Sequence, residues 1–263
     1  MDRHVSSDGM VTVEIGSSKT KYLVHKALIV YHSEYFHKAL SGPWTEAEER
    51  VVTLADVGEE ECKFGRGYHQ NNTDISLVNL FVHWLYTQQI PTGYLALRSV
   101  VHHPDSPKAP INKALVLVKA YALGDRILAL TFRREANNTL IIFGSCMGFP
   151  STLLPTATYA FANIPSDRSI LQFLVNQFCK CWDPEYIINT EEDALSELPP
   201  AFTVRAMKRL AHLRCGKLEG CYIEHSTNEE KKSCREPHME FVGGEFGYGY
   251  FGELKIIFAV SDE

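Results

Sequence analysis

The stretch VHKALIVYHSEYF, residues 24–36, decides how this chain is read. It carries His25 and His32, with His37 one residue beyond its end, and histidine is the usual side chain for proton transfer and metal binding near neutral pH. The same stretch also reads as an element boundary. Ala27, Leu28 and Val30 fit a short helix, and Ser33 fits the N-cap of a second one. Tyr35, Phe36, Ala39 and Leu40 give that second helix a buried stripe, which Gly42-Pro43 stops.

Outward from there the periodicity is informative. Upstream, Val11, Val13 and Ile15 alternate with Thr12 and Glu14 as a half-buried strand, and Tyr22-Leu23-Val24 returns as the second arm of a hairpin. Downstream, Val51-Val52-Thr53-Leu54 reads as a third strand. Leu77, Leu80, Phe81, Trp84 and Leu85 fall at helical spacing, the clearest amphipathic helix in the chain, and this predicts Trp84 and Leu85 buried against the hairpin. Ile90-Pro91 ends that helix. A further helix is predicted near residues 112–123, with Gly124 closing it and Asp125 capping the next. Leu128, Phe132, Ala136, Leu140 and Phe143 then form a stripe. Residues 62–74 and the Pro-rich residues 92–111 break the pattern and read as insertions.

Beyond residue 150 the pattern is helical. Ile170, Leu171, Leu174 and Phe178 form one face, and Phe202, Ala206, Leu210 and Leu213 another. Residues 215–263 shift to charge, Cys, His and Gly and read as a polar, flexible tail, closed by a strand alternating at Leu254, Ile256, Phe258 and Val260.

Composition bounds the function. A chain of 263 residues with 45% hydrophobic side chains can bury a core without disulfide or metal staples. The net charge of −6, with Lys and Arg scattered, argues against a nucleic-acid surface. No apolar run approaches the roughly 18 residues of a membrane span, and the first residues lack a signal-peptide core. With seven cysteines at irregular spacings, the expectation is reduced thiols in an intracellular protein, cytoplasmic or nuclear.

The hairpin, VHKALIVYHSEYF, the strand ending VTLADV, then LFVHWLYTQQI and VKAYALGDRILALTF together resemble the BTB/POZ domain. The resemblance covers residues 8–143 and rests on Val24-His25-Lys26, Leu28, Ser33, Tyr35-Phe36, Leu85-Tyr86-Thr87 and residues 122–125. Residues 150–214 look like the helical C-terminal extension of fungal BTB proteins. The resemblance implies an α+β fold, a short sheet flanked by helices, followed by an α-helical region. It implies structural roles for His25, Ser33, Phe36, Trp84 and Tyr86, with His25 a buried capping residue and His32 and His37 on the surface. It also implies a protein–protein interaction module and not an enzyme: an adaptor linking a client to a cullin-type ubiquitin ligase, or a homodimeric transcriptional or scaffolding oligomer. Many cullin-binding BTB domains present an apolar residue, any residue and then Glu before the third strand; Trp44-Thr45-Glu46 stands there, so Trp44 and Glu46 are the partner-binding candidates. Three departures stand out. Met10 replaces an acidic residue common in homodimeric members, residues 62–74 are inserted, and neither kelch repeats nor zinc fingers follow.

Other signals carry less. Gly247-Tyr248-Gly249-Tyr250-Phe251-Gly252 spells a dinucleotide fingerprint but precedes a strand where a helix is required, so no cofactor is expected. Cys215, Cys221, His225, Cys234 and His238 crowd the tail. Only Cys221-x₃-His225 and Cys234-x₃-His238 have zinc-like gaps, so no metal ligand is assigned and zinc binding stands as the alternative. Cys179 and Cys181, two apart on a helix, point in different directions and read as packing residues. No catalytic constellation rises above chance spacing.

Overall fold

The computed structural model describes residues 9–16, 19–55, 73–101, 111–144, 150–180, 195, 198–213, 221, 223–234, 238–239 and 256–257. Within them the fold is α+β, mostly helical around a small sheet. β1 (Met10–Ile15) and β2 (Thr20–His25) form the antiparallel hairpin, turning through Gly16, whose φ of 65° favours glycine. β3 (Val51–Leu54) pairs with the other edge of β1 in parallel, giving the order β2-β1-β3. Val11, Val13, Ile15, Val52 and Leu54 are buried, as period-two alternation dictates.

A parallel neighbour demands a crossover. It is made by α1 (Lys26–His32), α2 (Glu34–Ser41) and the short α3 (Thr45–Glu49). Ser33 sits between the first two, fully buried. Its hydroxyl oxygen accepts the Phe36 amide at 3.2 Å, the N-cap bond expected of it, and its O–H donates to the Ile127 carbonyl 94 residues away. α1 buries Ile29 as its one fully enclosed residue; Leu28 and Val30 are half-buried and Ala27 is exposed. The helix is too short to bury a stripe, so its central residue alone meets the core.

α4 (Thr73–Thr87) follows, and Leu77, Leu80, Phe81, Trp84 and Leu85 are all buried. Trp84 and Leu85 are each 1% exposed, as their spacing predicts. The indole packs on Phe81, Phe132 and His32, with ring centroids 6.2, 5.2 and 5.0 Å away. His32 is therefore half-buried against Trp84, where a surface position was expected. α5 (Tyr94–Val101) lies inside the stretch read as an insertion. It is a helix packed on α4 through Leu97 and Val101, one turn apart, a pattern too short to show between flanking prolines. Only residues 73–74 of the other expected insertion are described, in the first turn of α4.

α6 (Lys113–Arg126) is the central helix, packed on α4, α7 (Leu130–Gly144) and α8 (Pro150–Asn163). Asn112 caps it by accepting the Leu115 amide at 3.1 Å. Two buried lysines on it lie against rings, Lys113 over Phe143 and Lys119 over Tyr159. Gly124 does not close α6, which runs on to Arg126. A Cβ on Gly124 would lie 3.0 Å from the Arg133 backbone and Cβ, inside ordinary carbon contact of about 3.5–4.0 Å. Glycine is needed here for the close approach of α7. The chain turns instead at Leu128, with φ of 53°, which leaves Leu128 exposed and outside the stripe that Phe132, Ala136 and Leu140 bury.

α9 (Ser169–Lys180) and α10 (Pro200–Leu213) complete the helical layer, and one apolar core runs from Val11 through to Ala206. α9 is buried on nearly every side, enclosed by α7, α8 and α10. Cys179 packs within it, its thiol 3.6 Å from the Ala206 carbonyl; Cys181 lies outside the described residues. On α10, Arg209 is buried where Leu213 was expected, and Leu213 is exposed. α11 (Asn228–Ser233) and the two-residue strands β4 (His238–Met239) and β5 (Ile256–Ile257) follow, β5 lying in the expected terminal strand. Among the described residues no helix is long and apolar enough to cross a membrane.

Two outcomes are expected. Trp84→Ala removes the ring at the centre of the aromatic cluster and should cost about 3–5 kcal/mol in denaturant unfolding. Burial beside Trp84 holds the His32 imidazole below its usual value of 6.5. The unfolded chain therefore takes up a proton that the folded chain refuses, so this contribution to stability is whole above about pH 6.5 and drains as pH falls below it. His32→Phe should flatten the loss of stability measured from about pH 7.5 to 5.

Candidate functional site

The predicted site residues fall into three places. Ser33 and Phe36 are buried in the α1–α2 joint, and Trp84 is buried beneath it. His25 and Tyr86 meet at the surface. His25 Nδ1 lies 2.8 Å from the Tyr86 hydroxyl and its amide donates to the same oxygen at 3.3 Å. His25 does occupy the N-cap position of α1, but its side chain makes no cap bond and is exposed. The expectation of a buried, locally bonded imidazole is corrected: its partner comes from α4, 61 residues on. A strand end that meets the end of α4 leaves one side of the ring in solvent. His37 is exposed as expected, and His25, His32 and His37 do not converge as a metal-binding group.

Trp44 and Glu46 form the third place. Trp44 takes the N-cap position of α3 with extended backbone, and its carbonyl accepts the Ala47 amide at 3.0 Å. Five residues make too short a helix to carry an apolar face, and α3 buries none of them. Arg50, in the left-handed region at φ 55°, reverses the chain into β3, and its carbonyl accepts the Thr12 amide. The indole is 58% exposed, away from the core. It lies across the preceding turn: a Cβ on Gly42 would meet Trp44 Nε1 at 2.3 Å, so glycine leaves the space the ring occupies. Glu46, Glu48 and Glu49 are exposed on the same short helix. The result is an aromatic plate over its own turn, at the head of an acidic helix.

A polar network joins α6, α7 and the segment after α10, and the sequence did not reveal it. Asp125, expected as a cap, instead binds Arg133 Nη1 at 2.7 Å and Arg168 Nη2 at 3.1 Å. Glu224 pairs with Arg133 Nη2 at 3.2 Å and accepts the Tyr121 hydroxyl at 2.9 Å. Its amide donates to Asn138 Oδ1. Burial, then the Glu224 charge, push the Tyr121 phenol well above its usual range. Burial works against the Arg133 charge, but the hydrogen bond to Asp125 and the charge of Glu224 outweigh it and raise the guanidinium. Two cations face two carboxylates here, so the cluster compensates itself and fastens elements together. Near the sheet, a cavity of about 10 Å³ lined by Val13, Val24, Ile29, Phe36, Phe81 and Ile127 offers no polar group to hold even a water.

In the tail, Cys221, His225 and Cys234 converge within 4.8 Å of one another, while Cys215 and the His238 side chain lie outside the described residues. The glycine-rich fingerprint at 247–252 lies outside them too. Comparison with protein-family models and with curated proteins finds no match for this chain.

Proposed function

We propose that this chain is a protein-interaction module of the BTB/POZ type, without chemistry of its own, that presents Trp44 and Glu46 to a cullin-type scaffold. The observation that carries the reading is Trp44 itself. A large aromatic side chain is 58% exposed on a helix that buries nothing, beside Glu46, at the place where cullin-binding members of the resembled family carry their contact. Aromatic anchors carry much of the energy at interface centres, and a ring already seated over Gly42 gives up little freedom on binding. The order of elements supports the family reading: a hairpin, a helix pair jointed at Ser33, and a crossover to a parallel third strand. An intracellular location, cytoplasmic or nuclear, belongs to the same reading.

The test is capture of a purified cullin scaffold by the purified chain. Trp44→Ala together with Glu46→Ala should weaken capture by at least about 2 kcal/mol, the scale of an interface hot spot. The melting temperature should stay within about two degrees, because exposed positions contribute little to stability. Capture undiminished by the double variant, or no capture by the parent chain, overturns the adaptor reading. In that event the mass of the chain in solution decides whether it is a scaffolding oligomer.

A further inference from the structure

Cys221, His225 and Cys234 sit at the two ends of one tight reversal of the chain. Thr227 starts it, its hydroxyl accepting the Glu230 amide at 3.1 Å, while the Glu230 carboxylate accepts the Ser226 amide at 2.6 Å. These reciprocal bonds set the first turn of α11, a variant of the capping box. The six-residue helix then returns the chain so that Cys234 meets the residues it left. The base of the reversal is fixed as well. Glu224, next to His225, is held by Tyr121, Arg133 and Asn138 from α6 and α7. The cluster is thus mounted on the helical core and is half-buried.

The distances are specific. Cys221 Sγ lies 3.6 Å from His225 Nε2 and 3.6 Å from Cys234 Sγ. A disulfide would need about 2.05 Å, so both sulfurs are thiols. Zinc bonds of about 2.3 Å to sulfur and 2.0–2.1 Å to nitrogen, at tetrahedral angles, set an S···S edge of about 3.75 Å and an S···N edge of about 3.55 Å. Both edges at Cys221 match, and the third, between His225 and Cys234, lies within 4.8 Å, so a small rotation of the imidazole or of the Cys234 side chain closes the triangle. Two soft sulfurs and an imidazole at this spacing suit zinc, whereas calcium and magnesium take oxygen ligands.

We infer that Cys221, His225 and Cys234 form three corners of a tetrahedral zinc site. On binding, each thiol gives its proton to solvent and coordinates as thiolate, the imidazole coordinates through neutral Nε2, and no electron is transferred. The ion clasps residues 221–234 into the loop that presents Glu224 to Arg133 and Tyr121. This site is separate from the α3 surface and stands whether or not that surface binds a cullin.

The experiment uses the full chain, purified under reducing conditions, stripped with chelator and titrated with Zn²⁺ or Co²⁺ alone. One ion per chain is expected, with a thiolate-to-cobalt charge-transfer band and tetrahedral d–d bands, and zinc should raise the melting temperature. X-ray absorption on the zinc-loaded parent chain should count at least two sulfur ligands and at least one imidazole. Cys221→Ser with Cys234→Ser, and separately His225→Ala, should weaken binding by more than the roughly 10–100-fold typical of changes outside the ligand shell. Cys179→Ser, in the α9 core, should leave the affinity unchanged. A parent chain without the charge-transfer band, a band that survives the double cysteine variant, or a spectrum without sulfur ligands overturns the site and leaves a hydrogen-bonded thiol pair. The absorption measurement needs no variant and decides the matter even if the variants fold poorly.

Discussion

Between α1 and α2 the Ser33 hydroxyl accepts the amide of Phe36 and donates to the carbonyl of Ile127, so one buried oxygen joins two corners of the fold. The second corner is the turn from α6 to α7. There Leu128 adopts the left-handed conformation, the Ala129 amide reaches back to Gly124, and the Glu34 amide takes the Leu128 carbonyl. Beneath these bonds lie Phe36 on one side and the cluster of Trp84, Phe132 and Phe81 on the other. The hydroxyl is matched both as donor and as acceptor, and burial at this depth would otherwise be costly. The position of α4 and the seat of His32 depend on the joint that Ser33 sets.

The sequence is legible where a single element carries its own pattern. Leu77, Leu80, Phe81, Trp84 and Leu85 announce a helix because five apolar residues at that spacing have few other uses. Ser33 could be read as a cap because capping is local. Its bond to Ile127 could not, since nothing in either residue points across 94 positions. Gly124 shows the same limit in another form. Glycine ends helices and also lets helices touch, and only the presence of Arg133 at 3.0 Å from where a Cβ would stand separates the two uses. At the α3 surface the position of Trp44 was legible, but the lie of its ring over Gly42 was not. In the tail, counting gaps along the chain undervalued Cys234, because the turn of α11 brings residues together without regard to that count.

The described residues 223–234 are tied in by charge more than by apolar area. Residues 223–234 contribute no residue to the buried core, yet Glu224 reaches a phenol, a guanidinium and a side-chain amide. Arg133 is the shared partner, binding Asp125 through one nitrogen and Glu224 through the other. Two acids from distant parts of the chain are reconciled on one planar cation, an arrangement that suits arginine's fork and that lysine cannot copy.

The parallel pairing of β1 with β3 has a bearing on the order in which the chain can fold. β1 and β2 adjoin across a short turn and can zip on the hairpin timescale of roughly 1–10 μs. β3 must wait for residues 26–50 to be gathered in, and the entropy of closing that loop comes before any ladder bond rewards it. Coiling α1 and α2 and fastening them at Ser33 shortens the span that remains to be closed. A ribosome releases the hairpin first, then both helices, then β3, so each strand emerges when the surface it needs has already been laid down.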